Sequence, residues 1–241
     1  MRENQLSRNA EKNPTNKANS SFLAGIRAEL PLLVGVFPAG VIYGALAIGL
    51  GLSILSTQAM SSILFAGTSQ FVLLQLASQA TPTLLIILSI AIVNLRHILY
   101  SASIAPHLQN VSLKWKILLS YLLTDEAYAP SIVKYEKEGA TPHSHFFLLG
   151  AGFALWLTWQ VSTAIGISIG ATIPQSWPLG FALPLTLIAL VVPTLRRLPA
   201  VFSALSAGIV ALLAYKLPYN LGIIVGALTG ILVGMIMERR K

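Results

Sequence analysis

Two acidic residues, Asp125 and Glu126, lie in the middle of the apolar stretch Ile117–Val133, which reads ILLSYLLTDEAYAPSIV. Asp125 is the only aspartate in the chain. If the stretch crosses a bilayer, both carboxylates lie near the midplane, where an ionised side chain costs at least about 2.5–3.5 kcal/mol on insertion scales. A carboxylate in such a place can bind a substrate ammonium group or carry a proton. At least one of these acids is therefore expected to face a transport pathway.

Helix geometry separates the two acids. Successive residues point about 100° apart, so one acid can face a cavity or a partner while the other caps the helix or forms an ion pair. On a continuous helix Asp125 shares a face with Tyr121 and Tyr128, and Thr124 completes the polar group. A second interpretation stays open, in which Ile117–Val133 does not span the membrane and the acids lie at the water interface.

A second polar segment, NLRHILYS at residues 94–101, contains an arginine inside an apolar run. No other arginine lies between residues 28 and 195. An internal arginine requires an anion, because an unpaired buried charge is strongly unfavourable. The sequence offers Asp125 or Glu126 as the partner of Arg96. The alternative partner is a substrate carboxylate, which arginine can bind through two parallel hydrogen bonds.

Asn94 and His97 lie on another face of the same predicted helix. His97 can carry a proton, since histidine titrates near neutral pH. The alternative is a histidine that only forms hydrogen bonds within a helix bundle.

A third polar segment, FAGTSQF at residues 65–71, places Gly67, Ser69 and Gln70 inside an apolar run. Glycine followed by three hydrogen-bonding residues predicts a broken helix, whose free N–H groups favour a carboxylate. Ordinary hydrogen bonding between helices is the alternative.

The composition of the chain determines what surrounds these groups. The 241 residues are 55% hydrophobic and 10% charged, with a mean hydropathy of +0.73. Soluble domains contain roughly 25% charged residues, so this chain lacks the polar surface of a soluble fold. Its apolar runs are also longer than the roughly ten alternating residues of a barrel strand. We therefore predict an all-α, polytopic membrane protein.

Apolar runs near the length of about 20 residues that spans the hydrocarbon layer predict six to eight membrane segments. The candidates are Leu30–Leu52, Gln58–Ala77, Pro82–Ile104, Ile117–Val133, Phe146–Ile169, Leu179–Leu195, Ala200–Ala214 and Leu221–Met237. Both termini are expected to be cytoplasmic, because basic residues cluster at the two ends of the chain. Eight full crossings would place Lys114 and Lys116 outside. Six crossings suffice if Gln58–Ala77 and Ile117–Val133 are broken or re-entrant, and both arrangements stay open.

The chain divides into a tail and one membrane domain. Residues 1–21 are polar and lack the apolar core of a signal peptide, which predicts a disordered cytoplasmic tail before a single transmembrane permease domain at 22–241. In the first apolar segment, Pro38 predicts a kink or break. Gly40 and Gly44 form a small-xxx-small pair, which permits close contact between helices.

Residue content argues against several other functions. The chain has no cysteine, which excludes disulfides and thiolate chemistry. It has no nucleophile elbow, zinc-protease or Walker pattern, so neither enzyme activity nor a cofactor is expected. His143 and His145 are too few to predict a metal site. The net charge of +8 is explained by the basic flanks of membrane helices, and no basic face interleaved with aromatic residues predicts nucleic-acid binding.

Taken in order, several segments resemble the AzlC family. They are Pro38-Ala39-Gly40, Met60-Ser61 followed by FAGTSQF, NLRHILYSASIAPHL at 94–108, LTDEAYA at 123–129, and Leu217-Pro218-Tyr219-Asn220-Leu221-Gly222. The resemblance runs from about residue 22 to the C-terminus, and the long polar tail departs from it. The family's polar motifs correspond here to Ser69-Gln70, Asn94-Arg96-His97 and Thr124-Asp125-Glu126. The resemblance does not say which of them contacts the substrate.

The resemblance implies a permease of the bacterial inner membrane that exports branched-chain amino acids, namely valine, leucine, isoleucine or their analogues. It also implies secondary transport without an ATPase, together with a small hydrophobic AzlD-type membrane subunit. From the residue types we add coupling to the proton gradient. Arg96 or the backbone at 67–70 would hold the substrate carboxylate, and Asp125 or Glu126 would hold its ammonium group or carry the proton. An uncoupled channel or facilitator, an intramembrane enzyme and a purely structural membrane partner are the rival interpretations.

Overall fold

The computed structural model describes residues 14–139, 141–172, 195, 197–217 and 221–238. These residues form nine α-helices, one short 3-10 helix (Ala105–Leu108) and no strand. The α-helices are α1 (Pro14–Gly49), α2 (Ile54–Ile63), α3 (Gly67–Ser78), α4 (Thr83–Ile104), α5 (Leu113–Leu122), α6 (Asp125–Glu138), α7 (Ser144–Gly170), α8 (Leu198–Leu213) and α9 (Leu221–Glu238). The predicted all-α membrane fold is confirmed. The predicted segment Leu179–Leu195 lies outside the described residues, except for Leu195 itself.

Four of the described helices are long and apolar enough to cross a membrane, namely α1, α4 with its 3-10 extension, α7 and α9. The helix α8 is apolar but has only 16 residues.

The helix α1 begins at Pro14, and proline suits a first helical position because its missing N–H would have no partner there. Residues 14–21 of the predicted tail are part of this helix. Residues 1–13 of that tail lie outside the described residues.

The helix α1 is continuous through Pro31 and Pro38. The break that Pro38 predicted is therefore absent. Membrane helices tolerate proline because neighbouring helices and local adjustments satisfy the backbone groups that it frees.

The predicted segment Gln58–Ala77 is broken, as its polar motif indicated. Residues 64–66 separate the end of α2 from Gly67, the first residue of α3. At its other end α2 is capped by Ser53, whose hydroxyl oxygen accepts a hydrogen bond from the Ser56 amide at 3.0 Å. The break confirms an interrupted helix at this motif.

The predicted segment Ile117–Val133 is also broken, between α5 and α6. Thr124 is extended and caps α6, because its hydroxyl oxygen accepts a hydrogen bond from the Ala127 amide at 3.5 Å. Asp125 therefore lies in the first turn of α6, where the positive end of the helix dipole favours an anion. Since the helix is interrupted, Tyr121 belongs to α5, and the expectation that it shares a helical face with Asp125 is wrong.

The helices fall into two compact units. The first comprises the described residues up to Ile48, together with Leu52–Ala66 and Leu95–Thr172. The second comprises Gly49–Gly51, Gly67–Asn94 and the described residues beyond Thr172. In the first unit α7 is the central helix and contacts α2, α5, α6 and the 3-10 helix.

Small residues let α1 pack closely on α7 in the first unit. A Cβ atom added at Gly44 would collide with the backbone at Thr163, and one added at Gly40 would collide with the Ser162 side chain. From the other side, a Cβ atom at Gly166 would collide with the backbone of α1. Helix backbones approach this closely only where the contact residues are small. This contact uses the spacing of Gly40 and Gly44.

In the second unit, small residues also let α8 and α9 pack closely. Gly222, Gly226 and Gly230 recur every fourth residue on α9 and are buried against α8. The Ser203 hydroxyl of α8 donates a hydrogen bond to the Gly230 carbonyl at 2.7 Å. Close packing at small residues and one hydrogen bond thus hold α8 and α9 together. Both matter because the hydrophobic effect does not drive helix association within lipid.

Candidate functional site

The centre of the candidate site is an ion pair between Arg96, on α4, and Asp125, the first residue of α6. Arg96 Nη1 and Asp125 Oδ2 are 2.5 Å apart. The other carboxylate oxygen, Asp125 Oδ1, is buried and makes no hydrogen bond to a described residue. The side chains are 28% and 37% exposed, respectively. The sequence offered Asp125 and Glu126 as acidic partners of Arg96. The structure places Asp125 against Arg96 and leaves Asp125 Oδ1 as a further acceptor.

Aromatic rings hold α4 and α6 together beside the ion pair. Tyr100 of α4 stacks on Tyr128 of α6, with ring centroids 4.5 Å apart and planes inclined by 19°. The Tyr128 hydroxyl donates a hydrogen bond to Ser103 Oγ at 3.1 Å, and His97 meets the edge of the Tyr100 ring at 5.9 Å. Tyr100 is also close enough to interact with Asp125. These contacts fix the separation of the two helices that carry the pair.

Glu126 faces a third carboxylate, Glu29, which the sequence motifs did not single out. Glu29 lies on α1, is 0% exposed, and neither of its carboxylate oxygens makes a hydrogen bond to a described residue. Glu126 interacts electrostatically with Glu29 and also interacts with the Thr124 side chain. A sequence signal for Glu29 does exist, because it is the only acidic residue between positions 12 and 124.

Ser69 and Asn94 come together in the second unit. Ser69 Oγ donates a hydrogen bond to Asn94 Oδ1 at 2.7 Å, which joins α3 to α4. Ser69 and its neighbour Gln70 are completely buried in the first turn of α3, close behind Gly67. The Ser69 side chain thus serves a contact between helices. Binding of a carboxylate by the first amides of α3 stays a prediction.

A polar network that the sequence motifs missed joins α2 to α7. Gln160 Oε1 accepts hydrogen bonds from Gln58 Nε2 at 2.7 Å and from Ser62 Oγ at 2.9 Å. Gln160 Nε2 donates to the Ser61 carbonyl at 3.1 Å, and the hydroxyls of Ser61 and Thr163 are 3.1 Å apart. The sequence signal for this network is weak, because polar residues spaced three and four apart on a short helix are also found where helices simply pack together.

The two helix breaks lie side by side in the first unit. Tyr121, just before the second break, donates a hydrogen bond to the carbonyl of Ser62, just before the first. The Tyr121 hydroxyl also accepts a hydrogen bond from Trp156 Nε1 at 2.8 Å. Its ring lies 5.9 Å from that of Phe65, which is inside the first break. Transporters often build their binding sites where interrupted helices meet.

A cavity of about 480 Å³ lies between the end of α4, the 3-10 helix, α5 and α7. Its walls include Ile104, Leu119, Leu123 and Leu148, and Lys116 is its charged lining residue. Leu123 directly precedes Thr124, so the cavity borders the second helix break. Its size and mainly apolar lining fall within the range of sites that bind small molecules.

The histidines of the α6–α7 region make aromatic contacts. The His145 ring lies 5.1 Å from that of Trp115 and 4.2 Å from that of Phe146, and the His143 ring lies 6.3 Å from that of Phe146. In the part of the chain that the structure describes, no group of three or more His, Asp or Glu side chains is arranged to hold a metal ion.

Comparison with known proteins identifies relatives of this chain. The model of the family described as AzlC protein matches residues 31–173. The inner membrane protein YgaZ of Escherichia coli strain K12 is 27% identical over 185 residues, which cover 74% of this chain and 75% of that protein. An uncharacterized membrane protein of Archaeoglobus fulgidus is 34% identical over 199 residues, which cover 80% of this chain and 84% of that protein. No solved structure matches the chain.

Proposed function

Because the chain belongs to the AzlC family, a family of membrane transport proteins, we propose that it is a secondary transporter that exports branched-chain amino acids. The observation that carries the proposal is the Arg96–Asp125 ion pair beside the second helix break. An amino acid at neutral pH is a zwitterion with one carboxylate and one ammonium group. A cation and an anion held in direct contact are complementary to these two groups.

In the proposed bound state, the substrate exchanges partners with the ion pair. Its carboxylate accepts two parallel hydrogen bonds from the Arg96 guanidinium. Its ammonium group donates to Asp125, where Oδ1 already lacks a partner among the described residues. Since each protein charge regains an opposite charge, the exchange avoids the cost of leaving a charge unpaired.

The cavity beside Leu123 is our candidate for the aliphatic side chain. It borders the helix break that Asp125 follows, and its walls are mainly apolar. Branched aliphatic groups gain free energy by leaving water for such a site, at roughly 25 cal/mol per Å² of apolar surface. A polar side chain would lose its hydrogen bonds to water there. This contrast supports a preference for valine, leucine and isoleucine.

The composition of the chain and the names of its relatives support a membrane location for the transporter. The chain is a multi-pass membrane protein. We place it in the bacterial inner membrane, in line with the name of its Escherichia coli relative. Basic residues at both ends of the chain support cytoplasmic termini. We further propose coupling to the proton gradient and a small AzlD-type membrane subunit as partner.

Counterflow in lipid vesicles tests the substrate. Purified protein is reconstituted, with and without the small subunit, into vesicles loaded with unlabelled leucine, and the entry of labelled valine, leucine or isoleucine is followed. We expect saturable exchange of all three and none of lysine. Glu138→Gln is a matched control, because it breaks the exposed Lys134–Glu138 ion pair away from the site. The proposal fails if no branched-chain amino acid exchanges in either preparation.

An imposed pH gradient separates coupled export from the uncoupled alternative. We expect accumulation of labelled leucine in vesicles when the gradient is applied, and loss of that accumulation when an ionophore collapses it. Exchange that continues at the same rate with or without the gradient would instead support a facilitator. In that case the site would determine which substrates are transported, and transport would not be coupled to protons.

A further inference from the structure

Glu29 is a buried acid that neither the ion pair nor the substrate exchange uses. It lies within α1, it is 0% exposed, and both of its oxygens lack hydrogen-bond partners among the described residues. A carboxylate that is buried without a partner is very unfavourable in its ionised form. Ionisable residues inside membrane segments are rare and usually serve ion or proton pathways.

Among the residues that the structure describes, the charged groups near Glu29 do not compensate its charge. Arg27, its neighbour on α1, is exposed. On α7, which packs against α1, the only titratable side chain is His145 in the first turn, and it contacts aromatic rings. On α5, Lys114 and Lys116 are exposed. The helix α2 carries no charged residue. The ion pairs of the described residues, Arg96–Asp125 and Lys134–Glu138, do not include Glu29.

Within the described part of the chain, Glu126 on α6 is the charged group that acts on Glu29, and it repels an ionised Glu29. Glu126 itself interacts with Asp125, Arg96 and the Thr124 side chain. Arg96 is in direct contact with Asp125, so its charge is already balanced there. Two neighbouring carboxylates in a poorly solvated place do not both ionise readily, and one of them keeps a proton.

We propose that Glu29 is a protonated carboxylic acid in the resting protein and that it, with Glu126 as its electrostatic neighbour, is the site that binds the coupling proton. The proposal rests on the transport function above for its coupling role, but not for the protonation state of Glu29. It assigns separate tasks to the acids. Asp125 holds the substrate ammonium group, Glu126 adjusts the local charge, and Glu29 carries the proton.

This arrangement accounts for exchange of a proton against an amino acid. The bound amino acid carries no net charge, because its carboxylate goes to Arg96, but its ammonium group takes a position beside the three acids and makes ionisation of Glu29 less unfavourable. The O–H bond of Glu29 then breaks, and its proton passes to water on the cytoplasmic side as the amino acid binds. When the amino acid leaves on the other side, Glu29 takes up a proton from there. One proton therefore enters for each amino acid exported.

Transport by Glu29→Gln tests the coupling role, because glutamine resembles the protonated acid but cannot release a proton. In reconstituted vesicles, we expect this variant to retain leucine counterflow only with a higher half-saturating leucine concentration, because it mimics the protonated state that substrate binding disfavours, and to lose all stimulation by an imposed pH gradient. Glu29→Asp, which retains a titratable group, is expected to recover part of that stimulation. If Glu29→Gln abolishes counterflow even at saturating leucine, Glu29 holds the substrate instead of the proton. If gradient stimulation persists in Glu29→Gln, the coupling proton binds elsewhere.

Infrared spectroscopy tests the protonation state without any transport. We expect purified wild-type protein at neutral pH to show the C=O stretch of a protonated carboxylic acid. This band should be missing in Glu29→Gln and present in Asp125→Asn and Glu29→Asp. An unchanged band in Glu29→Gln overturns the proposal. A wild-type protein that shows the band, loses it in Glu29→Gln and exchanges no amino acid would overturn the proposed function and leave the protonation of Glu29 established. If Glu29→Gln does not fold, the proposal requires the band in Glu29→Asp, and its absence there overturns it.

Discussion

Neutralising Asp125 is the most direct test of how the site binds a zwitterion. In Asp125→Asn the side chain keeps its size but loses the charge that faces Arg96 at 2.5 Å. The substrate ammonium group then meets a neutral amide, and Arg96 loses its anion. The substrate carboxylate can still bind Arg96, so we expect weaker binding instead of a complete loss of recognition.

The magnitude follows from the interaction that is removed. A hydrogen bond to a charged group contributes about 1.5–3 kcal/mol, which corresponds to roughly a 10- to 150-fold change in affinity. The Asp125 side chain is 37% exposed, and solvent screening weakens exposed ion pairs, so the lower half of that range is expected. The half-saturating leucine concentration in counterflow should rise accordingly, while Glu138→Gln leaves it unchanged.

A double variant distinguishes a substrate site from a structural ion pair. Arg96→Gln combined with Asp125→Asn removes both charges together, which usually costs less stability than removing one partner alone. We expect the double variant to melt near the wild-type temperature in detergent and to exchange no leucine. Counterflow at the wild-type rate in this variant would refute the assignment of Arg96 and Asp125 to the substrate site. The protein would then fold and bind leucine without either charge.

Three further predictions concern the elements that position the site. Gly44→Ala should lower the melting temperature of the purified protein, since the new methyl group collides with the α7 backbone and overpacking costs about 1–3 kcal/mol; Gly35→Ala, with open space around it, is the control and should not. Leu119→Phe should reduce the cavity and weaken leucine counterflow more than valine counterflow, and equal effects on both would remove the cavity from the substrate site. Thr124→Ala should destabilise α6 by about 0.5–2 kcal/mol, measured by thermal unfolding. Thr124→Ser, which keeps the hydroxyl, should be nearly neutral, and equal losses in both would exclude the cap.

Much of the architecture could be predicted from sequence because its signals are local. Hydropathy over about 20 residues predicts a membrane helix wherever it lies in the chain. Gly67 predicted the first helix break because glycine and polar residues weaken a helix within one turn. At Pro38 the helix has no break, because a membrane bundle can satisfy the groups that proline frees, and a kink there stays a prediction.

The sequence by itself determined the class of protein, the positions of its polar motifs and the short list of partners for Arg96. Only the tertiary structure selected Asp125 from that list, assigned Tyr121 to the contact between the two breaks, and revealed Glu29 as a buried acid. These outcomes join residues that are far apart in the chain, such as Arg96 with Asp125 and Glu29 with Glu126. The physical reason is that hydropathy and capping act over a few residues, whereas the partner of a buried charge depends on how whole helices pack.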